Sequence, residues 1–180
     1  MPEALERPSD AELIAAWKAG DEAAAADLVR RHTQAVARFL AAAGARGDLD
    51  DLVQETFFRA FRRIESYRGT ASFRTWLTAI ASNALKDLRR RGRGRTVLPL
   101  DDRELADPRE DPHDRAVERD LVRQLERAVE ELPQMQRDVF LMRAQQGAEY
   151  GEIAEALETS VGAARVHYHQ AVKRLKALLQ

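Results

Sequence analysis

The chain carries apolar residues at intervals of three and four along most of its length, which is the spacing of helices with one buried face. Patterns that alternate with the period of a strand are nearly absent. Ser9 and Glu12 have capping-box spacing and begin the first predicted helix, which Gly20 ends. Asp21 caps a second helix that is predicted to run to Ala43. The pattern therefore predicts an all-α fold.

A third helix is predicted to begin at Asp48 and to have one strongly apolar side. That side consists of Leu49, Leu52, Val53, Phe57, Ala60, Phe61 and Ile64. A loop over 67–71 then interrupts the period, and Ser72 caps a fourth helix that runs to Arg91. Together the four helices predict a first helical domain over residues 1–94.

An acidic, flexible linker is predicted over 95–113, because this stretch has few apolar residues and several prolines. The prolines are Pro99, Pro108 and Pro112. Nine acids face four arginines over 101–120, whereas basic residues dominate over 86–95 and 165–180. The net charge of −1 therefore conceals opposite blocks. Two basic blocks favour a polyanionic partner, although basic helix ends in solvent are the open alternative.

Four more helices are predicted over 114–180 and form a second helical domain. The fifth helix has an apolar stripe that ends at Pro133 and consists of Ala116, Val117, Leu121, Leu125, Ala128, Val129 and Leu132. The last two helices, over 150–157 and 161–179, are separated by a tight turn and have helix-turn-helix spacing. Their core is expected to consist of Ile153, Ala154, Leu157, Val161, Tyr168, Ala171, Val172 and Leu175.

Composition excludes several classes of function. The chain has no cysteine, which excludes a disulfide scaffold and cysteine catalysis, and its four histidines leave little for a metal cluster. No apolar run approaches the roughly 20 residues of a membrane span. We therefore expect a cytoplasmic protein with no membrane insertion, no cofactor, no bound metal and no enzymatic activity.

The last helix has the strongest pattern for nucleic-acid binding. Ser160 at its start leaves backbone N–H groups free to hold a phosphate. Off its apolar stripe lie Arg165, His167, His169 and Gln170, which are residue types that recognise base edges. The alternative is a terminal helix that merely faces solvent.

Aromatic and basic residues are interleaved around the fourth helix, a combination that suits unpaired DNA. Tyr67 and Phe73 flank a glycine loop and are the candidate stacking rings. Their basic and polar neighbours are Arg68, Arg74, Asn83 and Lys86. Trp76 lies on the apolar face and is expected in the core rather than against a base.

The polar side of the third helix carries Asp51, Gln54 and Glu55 one turn apart. Carboxylates near a helix start are favoured by the helix dipole alone, and no histidine, nucleophile or phosphate loop accompanies these. A protein-docking face is therefore a better interpretation than a metal site or an acid–base pair.

Several motifs together resemble the bacterial extracytoplasmic-function sigma factors. Three stretches resemble region 2 of that family, namely DLDDLVQETF over 48–57, YRG over 67–69 and ASFRTWL over 71–77. Region 4 resembles LP at 132–133, RDVF over 137–140, YGEIA over 150–154 and SVG over 160–162. The motifs occur in the family's order and cover nearly the whole chain.

The resemblance implies a dissociable initiation subunit of RNA polymerase, whose partners are the core enzyme, promoter DNA and an anti-sigma factor. By similarity, the core enzyme would bind Asp51, Gln54, Glu55 and Arg59. The non-template strand of the minus-10 element would be captured by Tyr67, Arg68, Ser72, Phe73, Arg74, Asn83, Lys86 and Arg90. The minus-35 element would be recognised by Ser160, Arg165, His167, His169, Gln170 and Lys173.

Two features depart from the family's pattern. Glu158 occupies a turn position where the family usually has glycine, which predicts a strained turn. His167 and Gln170 stand where the recognition helix is usually basic, so the promoter sequence is not carried over.

Two other functions stay open at this point. One is a stand-alone helix-turn-helix regulator that does not act through the core polymerase, and the other is a helical adaptor that sequesters another protein. We also expect the two domains to pack against each other, or under an anti-sigma factor, when polymerase is absent. Such packing would cover the docking face of the third helix.

Overall fold

A computed structural model describes residues 7–45, 47, 49–92 and 112–179, with the side chains of 92 and 112–119 excepted. Within these ranges the fold is all-α, and no strand occurs. The helices are α1 (Asp10–Lys18), α2 (Glu22–Ala42), α3 (Leu49–Arg62), α4 (Phe73–Gly92), α5 (Pro112–Glu130), α6 (Gln134–Ala144), α7 (Tyr150–Ala156) and α8 (Val161–Leu178). A short 3₁₀ turn, Ile64–Ser66, follows α3. We call α1–α4 the first lobe and α5–α8 the second lobe.

Side-chain caps begin four of these helices at the predicted residues. Ser9 and Glu12 form the predicted capping box, in which Glu12 Oε2 accepts the Ser9 N–H at 2.7 Å. Asp21 Oδ1 accepts the Ala23 N–H at 2.9 Å. Ser72 Oγ accepts from the N–H of Thr75 at 3.2 Å, and Ser160 Oγ accepts from that of Ala163 at 3.1 Å. The predicted helix starts at Ser9, Asp21, Ser72 and Ser160 are thus confirmed.

The start of α5 differs from the prediction. The helix begins at Pro112, inside the predicted linker. A proline is favoured in a first helical turn because its missing N–H would have no partner there. The rest of the predicted linker, and the predicted helix start at Asp48, lie outside the described residues.

The two lobes share their hydrophobic cores. The larger core is built by α1–α4, but it also contains Ala128, Val129, Leu132, Leu141, Ala171 and Leu175 from the second lobe. The smaller core lies in the second lobe and includes Ala79 of α4. The expected packing of the domains against each other is therefore confirmed, and the apolar contact crosses the domain boundary.

Three residues that were predicted in the core are exposed instead. Leu121 and Leu125 of α5 have 59% and 43% of their surface exposed, and Val161 of α8 has 41%. The buried part of α5 begins only at Ala128, and Val161 lies in the first turn of α8. The helical period of these positions was correct, but the side chains of α5 over 120–127 are exposed.

None of the described helices combines the length and the apolar character that crossing a membrane requires.

Candidate nucleic-acid and protein-docking sites

The loop over 67–72 joins the 3₁₀ turn to α4 and is closed by its own tyrosine. Tyr67 Oη donates to the Ala71 carbonyl at 2.8 Å, and Gly69 has a positive φ of 75° that favours glycine. The Tyr67 ring lies 5.2 Å from the Trp76 ring and is half-buried. Burial raises the pKa of Tyr67, and the charges of Asp10 and Glu152 act in the same direction. The phenol therefore stays protonated and holds the loop.

Phe73 is not a stacking platform in this conformation, contrary to the prediction. Only 1% of its surface is exposed, because its ring packs between Tyr67, Trp76 and His32. A ring so enclosed cannot stack on a base and instead supports the loop from beneath. Trp76 is half-buried against the core, in line with the expectation that it is mainly structural.

Sequence reasoning missed the pair that supports Phe73. His32 of α2 is 2% exposed, and its Nε2 donates to Asp10 Oδ2 at 2.8 Å. Its Nδ1 is buried and has no hydrogen-bond partner among the described residues, so a second ring proton would be unsatisfied. Burial lowers the pKa of His32, although Asp10 acts against this, and Arg74 and Arg31 add to it. His32 lies four residues after Leu28 and four before Val36, which is a signal for a core position, but no local pattern indicates its pairing with Asp10.

An exposed polar surface surrounds this supported loop. Six of the eight predicted minus-10 residues are exposed on it, namely Arg68, Ser72, Arg74, Asn83, Lys86 and Arg90. Asn83, Lys86 and Arg90 follow one another along a single side of α4. Asn83 also lines a cleft of about 390 Å³ between the lobes, together with Arg62, Arg63 and Glu158. The structure thus places exposed cations and donors beside the loop and along α4, and the half-buried rings at the loop are Tyr67 and Trp76.

The predicted docking residues share the outer side of α3. Asp51 and Gln54 are exposed, whereas Arg59 is half-buried and bonded on two sides. Its Nε donates to Glu55 Oε1 at 2.6 Å and its Nη1 to Asp87 Oδ2 at 2.8 Å. The hydrogen bond from Arg59 lowers the pKa of Asp87 below its usual range. Asp87 was not predicted, because no local pattern links α4 to α3.

The recognition helix presents three of its predicted side chains freely. Arg165, His169 and Lys173 are exposed and recur every four residues, which places them on one side of α8. The Arg165 guanidinium also lies over the Tyr150 ring, at 5.6 Å from its centroid. This side of α8 is exposed and can contact a groove of duplex DNA.

Two other predicted residues of α8 are engaged within the protein. Gln170 Oε1 accepts from Gln136 Nε2 at 2.9 Å, which uses the acceptor that a bidentate base contact needs. His167 is half-buried, and its Nδ1 is enclosed without a hydrogen-bond partner among the described residues. Neither is presented freely to DNA in this conformation.

The turn before α8 has the strain that the sequence predicts. Glu158 has a φ of 52° and is the only described non-glycine residue with a positive φ. The Thr159 N–H donates to the Ala154 carbonyl at 2.8 Å, and the Glu158 N–H to that of Glu155 at 3.3 Å. These bonds form a Schellman motif, in which glycine is the usual left-handed residue.

Family models match both lobes. Residues 28–96 match the model described as sigma-70 region 2, and residues 122–175 match that of sigma-70 region 4. The chain is 30% identical to the ECF RNA polymerase sigma-E factor of Haemophilus influenzae over 97% of each chain. It is 31% identical to that of Escherichia coli K12, over 89% of this chain and 88% of the relative.

A solved structure shows the same fold over both lobes. It is the structure of CnrH in complex with the cytosolic domain of CnrY, with a TM-score of 0.70 and 28% identity. The likeness covers 94% of this chain and 96% of that one. The two family matches, the full-length relatives and this likeness agree, and the chain belongs to the extracytoplasmic-function sigma factors, which direct RNA polymerase to promoters.

Proposed function

We propose that the first lobe binds core RNA polymerase through α3 and captures the minus-10 strand with the 67–72 loop and α4. The observation that carries this proposal is the division of α3 into two sides. One side is buried in the core through Leu52, Val53 and Phe57. The other presents Asp51 and Gln54 to solvent. An exposed acidic side beside an ordered arginine suits a basic protein surface.

Strand capture is supported by the polar surface next to the loop. Unpaired DNA is held by cations along its backbone and by rings on which bases stack. Arg68, Arg74 and Lys86 supply exposed cations, and Tyr67 supplies the accessible ring. Phe73 acts in this proposal as the support of the loop.

Duplex recognition is proposed for the outer side of α8. Arg165 and Lys173 supply cations there, His169 supplies a further donor or acceptor, and the capped start of the helix points backbone N–H groups outward. The chain would therefore act in the cytoplasm as a non-enzymatic subunit that bridges polymerase and promoter.

An anti-sigma factor is a further proposed partner. Leu121, Val122 and Leu125 leave an exposed apolar strip on α5 that continues the buried positions Ala128 and Val129. Apolar strips of this kind mark protein contacts. A partner helix laid along α5 would extend the existing core.

Two sets of variants test polymerase binding by α3 and duplex binding by α8 separately. The Asp51→Arg plus Glu55→Arg variant is expected to lower core-polymerase binding in a pull-down by about ten-fold or more, since it reverses two charges on the docking face. Glu22→Arg is the matched control, because it reverses an exposed acid in the first turn of α2 and should leave binding unchanged.

The complementary variant is Arg165→Ala. It is expected to weaken binding to a promoter duplex while core-polymerase affinity is retained. Undiminished polymerase binding by the double variant would remove α3 from the docking site, and undiminished duplex binding by Arg165→Ala would remove Arg165 from the recognition surface. A stand-alone helix-turn-helix regulator would show no polymerase binding in any of these proteins.

A further inference from the structure

We infer that Asp10, Arg31 and His32 are positioning residues for strand capture, because they hold the ring of Phe73 that supports the 67–72 loop. We call these three residues the Asp10 cluster. The inference rests on the proposed function, and it assigns a part in strand capture to residues of α1 and α2 that lie outside the exposed polar surface of α4.

The Asp10 cluster ties the start of α1 to the middle of α2. Arg31 Nη1 donates to Asp10 Oδ1 at 2.6 Å, and His32 Nε2 donates to Asp10 Oδ2 at 2.8 Å. Arg31 Nη2 also donates to the Pro8 carbonyl at 2.7 Å. Neighbouring residues of α2 thus use both oxygens of the Asp10 carboxylate, and a contact of this kind fixes direction as well as distance.

These contacts determine the orientation of the His32 ring. A carboxylate oxygen accepts, so the ring proton in this bond lies on Nε2. Nδ1 is enclosed without a hydrogen-bond partner among the described residues, and burial lowers the pKa of His32. The ring is therefore neutral near pH 7, and its N–H points at Asp10, since turning the ring over would direct the donor away from its acceptor.

The His32 ring transmits this orientation to the loop through Phe73. The two rings meet edge to face, with their centroids 5.3 Å apart and their planes at 75°. Phe73 also meets the Tyr67 ring at 5.5 Å and the Trp76 ring at 5.7 Å. Phe73 is the first residue of α4 and only 1% exposed, so a displacement of its ring would move the end of the loop.

Orientation explains a histidine at this position better than stability does. Leu28 and Val36, one turn before and one turn after it on α2, are buried aliphatic residues. Because Nδ1 is enclosed and unpartnered among the described residues, burying this ring costs free energy that an aliphatic side chain would not cost. What the histidine adds is a directed bond to Asp10.

A held loop favours strand capture because less conformational freedom is lost on binding. Arg68, Ser72 and Arg74 are exposed on the loop and at the start of α4. When a loop also visits other arrangements, its affinity for a strand falls in proportion to the fraction of molecules in the competent arrangement. The Asp10 cluster raises this fraction from beneath the loop.

Polymerase docking should not depend on the Asp10 cluster, whose hydrogen bonds join α2 to α1 and to the residues just before it. Asp51 and Gln54 are exposed on the outer side of α3 although the lobes are packed together. The expectation that packing covers this docking face is therefore wrong. Core-polymerase binding can serve as an internal control for each variant of the cluster.

Two variants of His32 separate its directed bond from its filling of the core. In His32→Leu the side chain fills the space but cannot donate to Asp10, whereas in His32→Gln the terminal amide nitrogen can take the place of Nε2. Val36→Ala is the matched control for lost packing, because Val36 is buried on the same helix one turn further on. Each chain is assembled with sigma-free core polymerase at a temperature where circular dichroism shows it folded.

The probe is a fluorescein-labelled single-stranded DNA pool of random sequence, followed by anisotropy. Affinity above that of core polymerase alone measures strand capture. We expect His32→Leu to lower this affinity by about five- to ten-fold, and His32→Gln and Val36→Ala to stay within about two-fold of the unaltered chain, with polymerase binding unchanged in all. No loss in His32→Leu, or an equal loss in His32→Gln or in Val36→Ala, would overturn the inference.

A double-mutant cycle gives an independent readout, and it also applies if His32→Leu fails to fold. Asp10→Ala removes the acceptor at the partly exposed start of α1, and Glu22→Ala is its matched control, since it removes an exposed acid from the first turn of α2. We expect Asp10→Ala, unlike Glu22→Ala, to lower capture several-fold, and Asp10→Ala plus His32→Leu to lower it no further than one of them alone. Losses that multiply, or no loss in Asp10→Ala, would contradict the cluster.

Arg68→Ala distinguishes failure of this inference from failure of the proposed function. Arg68 is exposed on the loop, so its removal should lower capture if the loop binds the strand. Unchanged affinity in Arg68→Ala, or no capture by the unaltered chain, would count against the proposed function. A loss in Arg68→Ala with none in His32→Leu would count against the inference alone.

Discussion

Replacing Glu158 by glycine is expected to stabilise the protein. The residue holds a left-handed φ of 52° within a complete Schellman motif. A left-handed backbone costs a residue with a Cβ roughly 1–2 kcal/mol, and glycine avoids this cost. Glycine has greater conformational freedom in the unfolded chain, and the loss of this freedom on folding offsets about 0.5–1 kcal/mol of that gain in stability. The net gain of Glu158→Gly is therefore about 0.5–1 kcal/mol.

The measurement is the midpoint of thermal unfolding, followed by circular dichroism. In a chain of this size 1 kcal/mol shifts the midpoint by roughly 2–4 °C, so a rise of about 1–4 °C is expected. Glu158→Ala is the matched control, because it keeps the Cβ and the strain but removes the carboxylate. This control matters because Glu158 lines the cleft that also contains Arg62 and Arg63.

The two variants divide backbone strain from charge. If backbone strain is the cause, the midpoint of thermal unfolding rises for Glu158→Gly and does not rise for Glu158→Ala. An equal gain in both would attribute the effect to the carboxylate and refute the strain argument. No gain in either would mean that the turn holds its left-handed residue without measurable cost.

Two further predictions concern stability. Gly44→Ala should destabilise the chain by about 1–2 kcal/mol more than Gly47→Ala in urea unfolding. Both glycines have a positive φ, but only a Cβ at Gly44 would meet other side chains, namely Arg89 Nη2 and Glu130, each at 2.8 Å. That Cβ would also disturb the hydrogen bond from Arg89 to the Ala43 carbonyl. Equal losses would show that these side chains move aside freely. His32 has a pKa below its ordinary value of 6.5, so just below that pH the unfolded chain binds a proton that the folded chain does not. The free energy of unfolding should therefore rise as the pH approaches 6.5 from below and then level off. His32→Gln should flatten this rise, and an unchanged slope would assign the proton to another group.

Helix positions could be predicted from the sequence because their causes are local. A capping side chain and an apolar period act within a few residues, so Ser9, Asp21, Ser72 and Ser160 were sufficient to place four helix starts. The strain at Glu158 was equally local, since it depends only on a turn that glycine would normally occupy.

Long-range features of the site could not be predicted in this way. The period of α5 shows which residues share a side, but not that Leu121 and Leu125 are exposed. The burial of Phe73 depends on His32 in another helix, and the hydrogen bond that joins α4 to α6 depends on Asp138, which is 56 residues from Ser82. No pattern within one segment records such pairings.

The two hydrogen bonds of Arg59 have a mechanical consequence. They tie α3 to α4 through Glu55 and Asp87 within the same lobe. When RNA polymerase binds α3, α4 moves with it and keeps its position relative to α3. The first lobe would thus act as a rigid spacer, in which the shared core and the two bonds of Arg59 together fix the distance between the polymerase-bound surface and the point where the DNA strands separate.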